Sequence, residues 1–166
     1  MITQSLTAAL NDQLKQELYS SYLYLSMSAY CDDQSLTGFA HWLRLQADEE
    51  REHAMKFFDF IQDRDAKAVL QAIPQPPREF GTPLALFEQV LAHEQEITSL
   101  IDQLYSKAVA EQDHATQIFL QWFISEQVEE EKTASQLLET LRMAGNNNVA
   151  LLMLDRELGA RQVTAA

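Results

Sequence analysis

Residues 64–83 read RDAKAVLQAIPQPPREFGTP, and this stretch decides how the rest of the chain is arranged. All four prolines of the chain lie in it, at positions 74, 76, 77 and 83. Proline removes a backbone donor and clashes with the preceding helical turn, so no helix runs through to Pro83. The residues before the prolines do not continue the helical periodicity found on either side. The stretch therefore reads as an irregular connection of about twenty residues. At ~3.3 Å per residue it can run the length of a ~40 Å helix. It is predicted to be a crossover between two helical hairpins.

Working outward, the apolar residues recur at spacings of three, four and seven. Helix α1 is predicted from about Ser5 to Cys31, with Leu6, Leu10, Leu14, Glu17, Ser21, Tyr24 and Ser28 inward. Asp32–Gly38, DDQSLTG, is a turn. Helix α2 follows from about Leu36 to Asp63, with Phe39, Leu43, Glu50, His53, Phe57 and Phe60 inward. Thr82 and Pro83 form an N-cap and first-turn pair. They open α3, which runs to about Glu111 with Phe87, Val90, Glu94, Ile97, Ile101 and Leu104 inward. Asp113 caps α4, which runs to about Met143 with Phe119, Phe123, Gln127, Glu130, Leu137 and Leu141 inward. Ala144–Asn148, AGNNN, stops it, and VALLMLDREL (149–158) lies in a short α5, about 148–159. The prediction is an all-α single domain over 1–166. Its four-helix bundle spans about 5–143, with one long crossover between α2 and α3. One long crossover is a topology that bundles with inward metal-binding carboxylates use.

Composition narrows the function. The net charge of −13 argues against a nucleic-acid partner, because phosphate binding needs clustered lysine and arginine. It suits a protein that attracts cations. The single cysteine, Cys31, leaves no intrachain disulfide and no cysteine-based zinc site. MITQSLTAALNDQ has no basic region followed by an apolar run, so no signal peptide is expected. No apolar stretch reaches the ~20 residues needed to span a bilayer. A cytoplasmic location without membrane association is expected.

The chemistry is concentrated in Leu45–Phe58, LQADEEREHAMKFF. Glu50 and His53 stand where the inner stripe of α2 calls for core residues. Glu17 and Glu50 are 33 residues apart, and Glu17 and His53 are 36. Glu94 and Gln127 are again 33 apart, and Glu94 and Glu130 are 36. The two sets are offset by 77, which also maps Glu49 onto Glu126 and Glu52 onto Glu129. Each pair sits at one height in its hairpin, about 24 Å from the turn. A lone inner-face glutamate usually reaches water at the edge of its stripe, and a lone buried histidine is usually a hydrogen-bonded core residue. Four carboxylates and a histidine at one height are different, because an unpaired buried carboxylate costs several kcal/mol. No inward lysine or arginine neutralises them. Two divalent cations would match Glu17, Glu50, Glu94 and Glu130 in charge. Carboxylate with imidazole and no thiolate suits iron or manganese.

These residues resemble the ferritin family, and the non-haem bacterial ferritins in particular. The motifs that carry the resemblance are ELYSSYLYL (17–25), EEREH (49–53), HEQEI (93–97) and FLQWFISEQVEEEK (119–132). It extends over essentially the whole chain. It implies an iron store with ferroxidase activity, built as a hollow homo-oligomeric shell of 24 subunits. It further implies that Glu17, Glu50 and His53 hold one iron and that Glu50, Glu94 and Glu130 hold a second, with Glu50 bridging and Gln127 alongside. Glu49, Glu126 and Glu129, with Glu130 shared, match a third iron site. Tyr24 matches the tyrosine beside the centre, and Trp122 lies one turn further along α4. Bacterioferritins differ in carrying a second Glu-x-x-His where this chain has Gln127–Glu130. No haem is expected, since Glu52 stands where their haem-binding methionine would be. The acidic three-fold lining of animal ferritins aligns near Gln117 and Leu120.

The expected substrates are ferrous iron with dioxygen or hydrogen peroxide, and the product is ferric iron. Tyr24 is a candidate electron donor, because two irons supply two of the four electrons that full reduction of dioxygen takes. The alternative is a di-iron or di-manganese enzyme of the same architecture that detoxifies peroxide without bulk storage. Helix α5 is too short to be stable alone and is expected to find an apolar partner in another subunit.

Overall fold

The five predicted helices are present in a computed structural model that describes residues 2–163. They are α1 (Gln4–Asp33), α2 (Thr37–Asp63), α3 (Pro83–Ala110), α4 (His114–Ala144) and α5 (Asn148–Gly159). Four starts are capped by their own sequence. Thr3 accepts from Leu6 N–H, Thr82 from Ala85, Asp113 from Thr116 and Asn147 from Val149 and Ala150. Two residues past the last residue of α1, α2 and α3 stands a left-handed residue, Ser35, Asp65 and Gln112, at φ of 62°, 54° and 56°. That conformation turns the chain out of the helix and satisfies its last carbonyls. Gly145, directly after α4, ends that helix at φ 53° and ψ −131°, a conformation that favours glycine.

The apolar core falls into two clusters. One joins the C-terminal half of α1 (Tyr24, Met27) to the start of α2 (Phe39, Leu43), the start of α3 (Phe87, Val90) and the end of α4 (Leu138, Leu141). The other joins the start of α1 (Leu6, Leu10) to the end of α2 (Phe57, Ile61), the end of α3 (Ile101, Leu104) and the start of α4 (Leu120, Phe123). The helices therefore run up, down, down and up, which requires a connection as long as the bundle between α2 and α3. Residues 64–82 make it and are tied to α1 along its length. Asn11 donates to Lys67 O (3.0 Å) and accepts from Val69 N–H (2.6 Å), Ser26 donates to Pro77 O (2.6 Å), and Tyr30 donates to Gly81 O (2.9 Å). Between the two apolar clusters lies a polar layer that contains the buried Glu17, Ser20, Glu50, Glu94, Gln127 and Glu130.

Two expectations need refinement. Ser21, Phe60, Phe119 and Leu137 lie at the edges of their stripes and are only half-buried, while Leu138 takes the core position on α4. Helix α5 finds part of its apolar partner in its own chain, because Leu154 and Leu158 join the first core cluster.

Candidate metal centre

Each ligand-type side chain reaches the polar layer from its own helix. Glu17 comes from α1, Glu50 and His53 from α2, Glu94 from α3, and Gln127 and Glu130 from α4, and all six are buried. The spacings of 33 and 36 thus bring together the residues they single out. Ligand atoms of Glu17, Glu50 and His53 lie within 4.8 Å of one another. Glu50 Oε2 is 3.3 Å from His53 Nδ1. Glu50 Oε1 is the single buried side-chain polar atom among the described residues with no hydrogen-bond partner. Buried polar atoms are normally satisfied, so such an orphan marks a position meant for another ligand.

The other half of the layer is closed by hydrogen bonds. Glu94 Oε1 accepts from the Tyr24 hydroxyl, and Glu94 Oε2 accepts from Gln127 Nε2 at 3.1 Å. Glu130 Oε2 accepts from Gln46 Nε2 at 3.0 Å, and Glu17 Oε1 from Gln13 Nε2 at 2.8 Å. Among the described residues, no lysine or arginine donates to any of these four carboxyls. Burial raises the pKa of Glu17 and Glu50 well above the carboxylate range. Glu50's charge raises Glu17 further, and the charges of Glu94 and Glu130 raise Glu50. Glu94 is raised by burial against the opposing hydrogen bonds of Tyr24 and Gln127. Glu130 is pushed up to about 7, first by burial and then by Glu94. Four carboxyls so placed cannot all ionise at neutral pH without a compensating cation.

A second group lies on the outer side of the layer. Ligand atoms of His53, Glu126 and Glu130 come within 4.8 Å of one another. They line a cavity of about 390 Å³ between α2 and α4, with Glu49, Glu52 and Glu129 also on its walls. The residues matched to a third iron site therefore share one cavity. Its tightest group nevertheless includes His53 and omits Glu49 and Glu129. Glu129 remains exposed, and Glu49 Oε2 lies 2.7 Å from Arg161 Nη2.

The model of the ferritin-like domain matches residues 7–144, which contain every one of these side chains except Arg161. The chain belongs to the ferritin family. It is 42% identical over 161 residues to the bacterial non-haem ferritin of Bacteroides fragilis, covering 97% of this chain and all of that protein. It is 40% identical to that of Staphylococcus aureus, covering 97% of each. Among solved structures, the open-pore ferritin of the hyperthermophilic archaeon Archaeoglobus fulgidus superposes with a TM-score of 0.97 at 48% identity. That match covers 98% of this chain and 99% of the archaeal one. A closed form engineered from the same archaeal ferritin gives a TM-score of 0.97 at 48% identity, over 99% of this chain and 100% of that one. No helix among the described residues is long and apolar enough to cross a membrane.

Several residues at the centre of this ferritin escaped the sequence reading. Gln13 and Gln46 each precede a buried glutamate by four residues, on the same helix face, and are themselves 33 apart. The repeat that located Glu17 and Glu50 could have found them. His93 is half-buried beside Glu94, with Nε2 2.8 Å from Ser20 Oγ and its ring edge-on to Tyr24 at 5.9 Å. Burial pushes its pKa down to about 4, so it stays neutral and offsets none of the carboxylate charge. Trp122, which the resemblance places one turn further along α4, packs edge-on against His53 at 5.2 Å. Leu120 is fully buried, so it lines no channel.

Proposed function

We propose that this ferritin stores iron in the cytoplasm and is a ferroxidase, a ferrous iron:oxygen oxidoreductase. The observation that carries the reading is the layer of four buried glutamates with no lysine or arginine partner among the described residues, one of them with an unsatisfied oxygen. Glu17, Glu50 and His53 hold one ferrous ion, and Glu50, Glu94 and Glu130 hold the other. The orphaned Glu50 Oε1 supports a bridging role for Glu50. Gln127 steadies Glu94 from beside the second position.

Two ferrous ions give up one electron each. Dioxygen takes both with two protons and becomes hydrogen peroxide, or hydrogen peroxide takes them and becomes two waters. Anionic oxygen ligands stabilise the ferric state over the ferrous one, which favours the oxidation. The carboxyls that burial keeps protonated release their protons as cations arrive. The outer cavity, with Glu49, Glu126, Glu129 and Glu130, offers ferric iron a third position on its way out. Iron then accumulates as mineral inside a homo-oligomeric shell of 24 subunits. The outward face of α5 supports assembly, with Val149 68%, Leu152 54% and Met153 68% exposed.

Ferrous titration under air, followed by optical absorbance and metal analysis, tests this reading. Storage gives two rapidly oxidised irons per subunit and hundreds retained per particle. Oxidation that stops at two per subunit fits a peroxide-detoxifying enzyme instead. Absence of bound iron rules out both.

A further inference from the structure

We infer that Arg161 is a built-in counter-ion of the outer acidic cavity and sets how tightly that cavity holds a cation. The inference rests on the reading of the adjoining layer as an iron centre, and it makes Arg161 a positioning residue. After α5 the chain returns across the first half of α2. There the Arg161 carbonyl accepts from His41 Nε2 at 2.9 Å. Its guanidinium lies over the Trp42 ring, 4.9 Å from the centroid. Nη1 donates to Gln46 Oε1 at 2.6 Å and Nη2 to Glu49 Oε2 at 2.7 Å. Anchored by its backbone, by an aromatic face and by two acceptors, the side chain is held in one place.

Both acceptors lead to the cavity. Gln46 turns its Oε1 to Arg161 and its Nε2 to Glu130 Oε2, 3.0 Å away. Glu130 belongs both to the buried layer and to the outer group with His53 and Glu126. Arg161 therefore fixes the amide that holds Glu130. Glu49 lies on the cavity wall, yet the ligand atoms that converge come from His53, Glu126 and Glu130. The Glu49 carboxylate is drawn to the guanidinium instead. A cation that takes Glu49 as a ligand must share that carboxylate's charge with Arg161, because the two positive charges compete for it. The cavity consequently binds cations more weakly than its count of glutamates implies. That suits a position iron passes through.

The test uses zinc(II), which is redox-inert, on the full-length protein. Calorimetric titration gives the affinities, and anomalous diffraction from zinc-soaked crystals gives the ligands. Arg161→Ala is expected to bind zinc in the outer cavity about tenfold more tightly, with Glu49 in its shell and inner occupancy unchanged. Arg161→Lys, which keeps the charge and loses the forked geometry, is expected to fall between the two. In a Glu49→Gln background, Arg161→Ala is expected to bring no further gain. Filled inner positions with unchanged or weaker outer binding in Arg161→Ala would overturn the inference and leave the iron reading standing. Absence of zinc at Glu17, Glu50 and His53 in wild type and variant alike would overturn both.

Discussion

Glu50 faces the other three buried glutamates electrostatically and carries the one orphaned buried oxygen among the described residues. It is the shared ligand in the proposed centre. Glu50→Ala is therefore expected to abolish fast ferrous oxidation, while His53→Ala weakens the first position and leaves the second. Stopped-flow absorbance on the two variants checks this, and an unchanged rate for the first two irons in Glu50→Ala would move the site elsewhere. Tyr24 is fully buried and donates its hydroxyl to Glu94. Burial and the neighbouring carboxylates raise its pKa well above 10, so it remains a protonated phenol that can lose a proton and an electron together. Tyr24→Phe is expected to retain iron binding and lose a transient organic radical seen in wild type by freeze-quench paramagnetic resonance. No radical in either protein, with unchanged kinetics, would reduce Tyr24 to packing. Legibility is uneven at this scale. Glu17, Glu50, His53, Glu94 and Glu130 are visible because a charged residue on an apolar stripe breaks a local pattern. Arg161 lies outside any such stripe, in a segment that reads as polar and irregular.

Helix α2 shows how one element can depend on another. Its N-cap position is Leu36, which has no side-chain acceptor. The missing cap comes from α5, where Asp155 Oδ1 accepts from Gly38 N–H at 2.9 Å and Phe39 N–H at 3.0 Å. The carboxylate also faces the positive end of the α2 dipole. Gly38 is required by closeness, because a Cβ there would lie 1.6 Å from the backbone oxygen of Asp155. Asp155→Ala is expected to cost ~1 kcal/mol, the usual loss of a capping side chain. Gly38→Ala is expected to cost more, since α5 as a whole must shift. Denaturant unfolding measures both, and limited proteolysis in the α4–α5 connection reports detachment. Equal stabilities for wild type and Gly38→Ala would mean that α5 does not dock as described. Sequence periodicity finds α5 but not its partner, because its apolar stripe fits any apolar surface.

The charge of the whole molecule gives the metal-free protein a characteristic pH dependence. The four layer glutamates have raised pKa values, and Glu130 moves from an ordinary 4.5 to about 7. A raised acid favours the fold while it is protonated. Its contribution is complete below the unfolded value and is lost as pH rises through the folded one. Metal-free protein is therefore expected to lose thermal stability between about pH 4.5 and 7, the values that bracket Glu130. Asp113 has the opposite sign, since the Arg64 guanidinium holds its carboxyl below the usual range. That contribution fades only in stronger acid, below the ~3.9 of an ordinary aspartate. Zinc should abolish the neutral-range loss by replacing the protons. Scanning calorimetry with and without the metal checks this, and a metal-free Tm that is flat or rises from about pH 4.5 to 7 would contradict it.

The sequence alone determined the helices, the crossover and the acidic residues of the polar layer. Prolines, caps and a 3.6-residue period act locally, and a fixed rise per residue turns spacings of 33 and 36 into common height. The tertiary structure decided how those parts are joined. It placed Glu94 under the hydroxyl of Tyr24 and left Glu50 Oε1 without a partner. It also brought Asp155 to the start of α2. Arg161 reaches Glu49 across 112 residues of sequence. No local pattern encodes a contact of that range, which exists only once α5 has docked and carried the chain end back across α2.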